Sequence, residues 1–301
     1  MKKLPIHIIL MAIVNEVCGS ATTAAPKNTG GKKQCLEAPV RTYALAKETF
    51  AFADIATAKT KSAWDTAKAA KDVVIFWDVE SIEPNNTDAE VQNGRYEDYT
   101  LKKAVKGVDY RHNISVCSHA ALESYADSAY TRIFRITDDD EITCEVQDDG
   151  SVKGEPLSSM LVGIRNDPTT DDVANSVTTF KFRTYEQSIL RSDFAMANYE
   201  GIYDVELTES AGNSATSIKF KAALPCTGDS LLTLVSGNIK LTESDGVTPK
   251  AFSFVAADSN GEYELTGTGF ANGMILSLDG VVTISEAMYE TPETVAIANI
   301  S

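Results

Sequence analysis

The chain has 301 residues and a formal net charge of -16, from 27 Lys and Arg against 43 Asp and Glu. A 43% hydrophobic and 23% charged composition is that of a folded protein and excludes global disorder. So acidic a body also argues against a protein that grips nucleic acid, because affinity for phosphates comes from Lys and Arg. Five scattered Cys and three His leave little material for metal or nucleophile chemistry. With an odd Cys count and no Cys-x-x-Cys spacing, free thiols in a reducing compartment are expected.

The length accommodates two domains, and charge and texture change along it. Residues 1–40 carry five Lys and two acids, residues 41–200 carry 18 basic and 28 acidic residues, and residues 201–301 carry 4 and 13. The first twenty residues pair Lys2-Lys3 with the apolar run Ile8 to Val14 and the small residues Gly19-Ser20-Ala21. That pattern reads either as a cleaved leader or as an apolar arm that docks on an assembly. The run is too short to span a bilayer as a helix. Residues 20–34 are small, polar and Gly-rich, so they read as a linker.

Ala-rich spacing over Ile55 to Ala70 predicts a helix anchored by Trp64. Val73 to Trp77 predicts a buried strand, and Pro84 with Asn85-Asn86 predicts a loop over Ser81 to Glu90. Asn93-Gly94 predicts a hairpin turn, with Arg95 to Ser118 as a long polar hairpin left partly exposed. A short helix is expected over Ala120 to Ala126. Strands are expected over Tyr130 to Ile136 and Glu141 to Val146, then over Ser158 to Arg165 and Ser176 to Tyr185. Val177, Phe180 and Phe182 are taken as the buried set of the last strand. Ile189 to Phe194 reads as a short helical cap.

After Gly201, strand-like runs recur about every ten residues: Ile202–Leu207, Ser217–Ala223, Asn238–Thr242, Ala251–Ala256, Tyr263–Thr268, Met274–Leu278 and Val295–Ile300. Asn260-Gly261 and Asp279-Gly280 punctuate them. About seven short strands in ~100 residues predict an immunoglobulin-like sandwich. The predicted fold is therefore mainly β, in three segments: an arm and linker at 1–40, a β-rich assembly domain at 41–200, and a sandwich at 201–301.

Four clusters invite chemistry. Asp138-Asp139-Asp140-Glu141 with Asp148-Asp149 suggests calcium, but an EF-hand loop needs Gly sixth and Glu twelfth, where Thr143 and Asp149 stand. Solvated turn acids are the expected reading. His112, Cys117 and His119 with Cys144 lack a recognised metal spacing. The run Gly267 to Gly273 leads toward a strand, not the helix that a dinucleotide loop requires. Asn85 and Asn113 begin glycosylation-type triplets. No catalytic, cofactor-binding or metal-binding residue is assigned, and no cofactor is expected.

One resemblance covers residues 30–300 in organisation. Gln34-Cys35-Leu36-Glu37, the VVIFW strand, Asn93-Gly94-Arg95-Tyr96, the helix His119 to Ser124, the turn Asp149 to Gly154 and the strand Leu161 to Ile164 follow one another. This order resembles tail-tube-like virion proteins of tailed phages infecting Bacteroidetes-type hosts, some of which carry a carboxy-terminal immunoglobulin-like domain. The resemblance implies a tail-tube-like β-sandwich or barrel with short helices at 41–200. It implies a structural, non-catalytic subunit that assembles with itself into stacked rings and contacts other virion proteins. DNA would pass without specific binding, no membrane would be involved, and the protein would reside in the virion tail. A capsid or decoration protein, and a secreted bacterial binding protein with an immunoglobulin-like domain, are the alternatives.

Overall fold

The computed structural model describes residues 14–15, 38–77, 79–93, 98–126, 128–183, 188–193 and 200–300. The arm and linker expected at 1–40 therefore lie almost wholly outside the described residues. The fold is mainly β, with sheets that are predominantly antiparallel and open, not closed into a barrel. It divides into two compact units, Met1–Tyr199 and Glu200–Ser301.

The first unit contains β1 (Val14–Asn15), β2 (Val40–Ala46), α1 (Ile55–Ala58), α2 (Lys61–Ala69), β3 (Val73–Ile75), β4 (Ser81–Pro84), β5 (Glu90–Asn93) and β6 (Asp98–Lys102). It continues with β7 (Gly107–Asn113), α3 (Val116–Glu123), β8 (Arg132–Thr137), β9 (Glu141–Val146), β10 (Val152–Lys153), β11 (Glu155–Val162), β12 (Asn175–Phe182) and β13 (Ser188–Asp193). The main sheet runs β1-β13-β9-β8-β11-β12-β7-β4, with β2 paired to β8 and β3, and β10 to β9.

Strand β11 joins two layers. Its Glu155 and Pro156 pair with β8, while Leu157 to Val162 pair with β12, and a register shift separates Leu157 from Ser159. Such irregularities let a strand turn from one sheet into another. Gly154 stands at this corner. A Cβ there would come within 2.9 Å of the Ile133 backbone, so the close approach demands glycine.

β2 and β8 are covered on both faces, which explains their continuous apolar text. Tyr43, Leu45 and Ile133 enter a cluster with Tyr110, Leu122, Leu157 and Phe180. Ala44, Ala46, Phe134 and Ile136 enter another with Phe52, Trp64, Ala67 and Val73. The predicted Ala-rich helix is split in two. Asp54 caps α1 through Thr57 N at 2.7 Å, and extended Thr60 opens α2. Trp64 is fully buried, as its anchoring role requires.

Several expectations need correction. Ser81–Pro84 is an edge strand, not a loop, and Pro84 is tolerated because an edge strand has one unpaired side. Ser188–Asp193 is a strand along β9, not a helical cap. Helix α3 begins at Val116, earlier than expected, because Ser115 accepts from Ser118 N. In β12 the inward set is Ser176, Thr178, Phe180 and Phe182; Val177, one position out of phase, faces outward. The hairpin read at Arg95 to Ser118 is displaced. Gly107–Asn113 is an interior strand, paired to β12 on one side and β4 on the other.

The second unit contains β14 (Ile202–Asp204), β15 (Glu206–Glu209), β16 (Ser217–Ala223), β17 (Ile239–Thr242), β18 (Ser253–Val255) and β19 (Glu262–Thr266). It ends with β20 (Ile275–Leu278), β21 (Val282–Ile284), β22 (Ala287–Glu290) and β23 (Val295–Ala296). One sheet runs β15-β16-β19-β18 and another β17-β20-β23. With β15, β16, β17, β18, β19, β20 and β23 lettered A to G, these are the ABED and CFG sheets of an immunoglobulin-like sandwich. An added sheet, β14-β22-β21, uses two strands that sequence reading did not anticipate. No Cys pair with Trp is needed at the centre, because Phe220 stacks on Tyr263 at 5.3 Å among Ile218, Leu241, Leu265 and Leu276. The Tyr263 hydroxyl donates to Leu231 O at 2.7 Å and accepts from Leu234 N at 3.1 Å, tying the B–C connection to strand E.

Candidate assembly surface

The hairpin β4–β7 continues beyond its own sheet. After β4, the bridge between Thr87 and Val105 carries the pairing outward, with backbone hydrogen bonds of 2.8 and 2.9 Å in the two directions. Strands β5 and β6 then pair with each other, with a register shift between Glu90 and Val91. They form a two-stranded sheet with no third strand among the described residues. A two-stranded ribbon leaves a row of backbone groups on each outer side, and such rows are templates for pairing with another chain. The predicted Asn93-Gly94 turn falls in sequence between β5 and β6, and residues 94–97 are outside the described residues.

The base of this hairpin is tied down by side chains. Asn86 Oδ1 accepts from Gly107 N at 3.0 Å, and Asn85 donates to both Asp109 oxygens at 2.8 and 2.9 Å. Beside it lies an open cleft of about 670 Å³, bordered by Glu83, Asp109, Arg111, Asp167 and Asp172. Arg111 pairs with Asp172, and Arg165 with Asp167 at 2.9 Å. The edge strand β4 is a poorer template than the ribbon. It is only four residues long, and Pro84 has no N–H to donate.

An ionic network with a buried centre ties the neighbouring strands β8 and β9 to Glu48 and Arg183. Arg132 and Glu145 are both buried, with Nη1 to Oε2 at 2.9 Å. Arg132 also reaches Glu48 Oε1 through Nη2 at 2.8 Å, and Arg183 donates to Glu48 Oε2 at 2.7 Å. Thr131 donates to the same Glu48 oxygen at 2.6 Å. Partial burial alone would raise the Glu48 pKa, but hydrogen bonds from Thr131, Arg132 and Arg183 overcome it and lower it from 4.5 to about 2. A depressed folded-state pKa contributes stability that is fully present above 4.5 and is lost as pH falls through about 2. The unit is expected to lose stability across that window, and Glu48→Gln is expected to flatten this part of its pH dependence. Chemical denaturation of both proteins at a series of acidic pH values measures it; parallel curves would refute the assignment.

The sequence-derived clusters separate in space or serve as turn chemistry. His112, on β7, shares a hydrogen bond with Tyr43 Oη at 3.1 Å, whereas His119, on α3, meets Gly163 O at 2.9 Å. Cys144 is buried on β9, packed in the α1–α2 cluster. Cys117 and Cys226 each take part in a disulfide, which corrects the expectation of free thiols at those positions. Scattered spacing concealed this, because pairing is set by tertiary proximity. Asp149 is held below its ordinary pKa by the Ser151 side chain and backbone, as a turn acid should be. Asp245 and Asp258 do the same work in the second unit, through Thr248 and through Glu262 N. The Gly267 to Gly273 run leads into β20, not a helix.

Among the described residues, no helix is long and apolar enough to cross a membrane. Comparison with protein-family models, curated proteins and solved structures finds no match to the chain. The projecting ribbon was only half legible in the sequence. Its turn signal stood out, but which flanking strands belonged to a sheet did not.

Proposed function

We propose that this chain is a structural subunit of a tailed-phage virion, a tail-tube or related tail component that assembles with itself and has no catalytic role. The observation that carries the reading is the β5–β6 ribbon, which extends beyond its parent sheet with no third strand beside it among the described residues. Pairing that ribbon with a neighbouring subunit would satisfy its backbone groups and build a ring or a stack of rings. The acidic balance suits a conduit through which DNA slides without being held, since like charges repel. The immunoglobulin-like unit would decorate the outside, and other virion proteins would meet the ends of the assembly.

A second reading is supported by a different observation. Disulfides at Cys117 and Cys226 belong to oxidising compartments, which favours a secreted or surface-anchored binding protein presenting the sandwich. One experiment separates the two. Purified full-length protein is examined by light scattering and negative-stain microscopy, beside a variant in which residues 90–102 are replaced by a short turn. The tail reading expects rings or tubes from the parent and folded monomers from the variant. A parent that stays monomeric at high concentration, with its amino terminus processed, supports the secreted reading and sinks the first.

A further inference from the structure

Three neighbouring strands place a lysine, an asparagine and an aspartate in one constellation. In the register of the sheet, Lys181 on β12 stands opposite Gly107 on β7, and Asn85, just after β4, donates its N–H to Gly107 O at 3.0 Å. The three therefore form one row across the sheet, with a glycine in the middle. Because Gly107 has no side chain, Lys181 lies across it and reaches Asn85. A Cβ at Gly107 would stand 2.8 Å from both Lys181 Cδ and Nζ, in the space the lysine now occupies.

Lys181 Nζ is 2.8 Å from Asn85 Oδ1 and also hydrogen bonds the Asn85 main-chain oxygen. On the other side of the same amide, Asn85 Nδ2 donates to Asp109 Oδ1 and Oδ2 at 2.8 and 2.9 Å. Asp109 is held in turn by Thr179 Oγ1 at 2.6 Å. An amine, a carboxamide and a carboxylate bonded to the nitrogen that would leave are the parts of an acyl transfer. With Nζ 2.8 Å from Oδ1, Cγ lies within about 4 Å of the amine, so a rotation of the Lys181 side chain, not a movement of the backbone, brings Nζ onto it.

We propose that Lys181 and Asn85 are the sites of an intramolecular isopeptide cross-link, formed autocatalytically with Asp109 as the proton-transfer residue. The Lys181 ammonium first gives one proton to solvent. The neutral amine attacks Asn85 Cγ; the Nζ–Cγ bond forms as the carbonyl π pair moves to Oδ1. Asp109 takes a proton from Nζ and delivers it to Nδ2. The C=O bond re-forms, the Cγ–Nδ2 bond breaks, and ammonia leaves and takes up the solvent proton. No oxidant or cofactor enters the balance. The product joins positions 96 residues apart in sequence, so it closes a large loop of chain. It clamps the base of the hairpin to β12, two strands in from the β4 edge, where load from the ribbon would arrive.

Mass spectrometry of the reduced, denatured full-length chain tests this, with peptide mapping to locate the bond whatever the state of the chain ends. The expected result is a chain lighter by one ammonia and a branched peptide joining Lys181 to Asn85. Asp109→Ala and Gly107→Ala should each give the uncross-linked mass, and Asn85→Asp should form the same amide with loss of water. A parent chain whose Lys181 and Asn85 peptides are both linear overturns the proposal irrespective of how any variant folds. A cross-linked Asp109→Ala protein overturns the role given to Asp109.

Discussion

Glu145→Ala is expected to destabilise the amino-terminal unit by about 3–5 kcal/mol, the usual cost of breaking a buried ion pair from one side. Glu145 and Arg132 are both withdrawn from water, 2.9 Å apart. Removing the carboxylate takes from the interior guanidinium the partner that its Nη1 donates to. Glu48 still holds Arg132 through Nη2 at 2.8 Å, so the loss should fall toward the lower end of that range. The pair itself need not stabilise the fold relative to apolar side chains of similar volume. The double variant Arg132→Met with Glu145→Leu should therefore recover much of the loss. Equilibrium denaturation of the three proteins decides the matter. A single variant as stable as the parent, or a double variant worse than the single, would show that the network does not behave as a buried charge pair.

Trp64→Ala should cost a similar amount, about 3–5 kcal/mol, for a different reason. Trp64 is the largest side chain with no exposure. It packs on Phe52 at 5.0 Å and Phe134 at 5.3 Å between ring centroids, and its Nε1 donates to Ala58 O at 2.7 Å. Truncation empties the space between α2 and the sheet and leaves the Ala58 carbonyl without its donor. Trp64→Phe, which retains much of the ring volume, should lose clearly less. Far-ultraviolet circular dichroism with urea titration reads both. Equal losses from the two variants would mean that the hydrogen bond, not the packing, dominates.

These two residues differ in how far the sequence revealed them. Trp64 was readable as an anchor because local spacing places it on one face of an Ala-rich helix. The partnership of Arg132 with Glu145 was not, since each sits in a strand whose alternation looks half-polar. Only the folded sheet, which sets β8 beside β9 and covers both, makes the two positions interior. The same limit explains Ser188–Asp193. A short run with apolar residues a few positions apart fits a helical turn as well as a strand, and pairing with β9 settles it.

What the sequence determined by itself is local. Turn residues, strand-forming runs and the change of texture near Gly201 predicted a mainly β chain and most strands of the immunoglobulin-like unit, because those features depend on neighbouring residues and on backbone conformation. What only the tertiary structure decided is everything that joins distant segments. It made β7 an interior strand, divided β11 between two sheets, set Val177 outside and Phe180 inside, and brought Lys181 across Gly107 to Asn85. The physical reason is that strand pairing is non-local. A strand carries its periodicity in its own residues, but its neighbours and register are chosen by the whole sheet, and a shift of one residue turns every side chain to the opposite face.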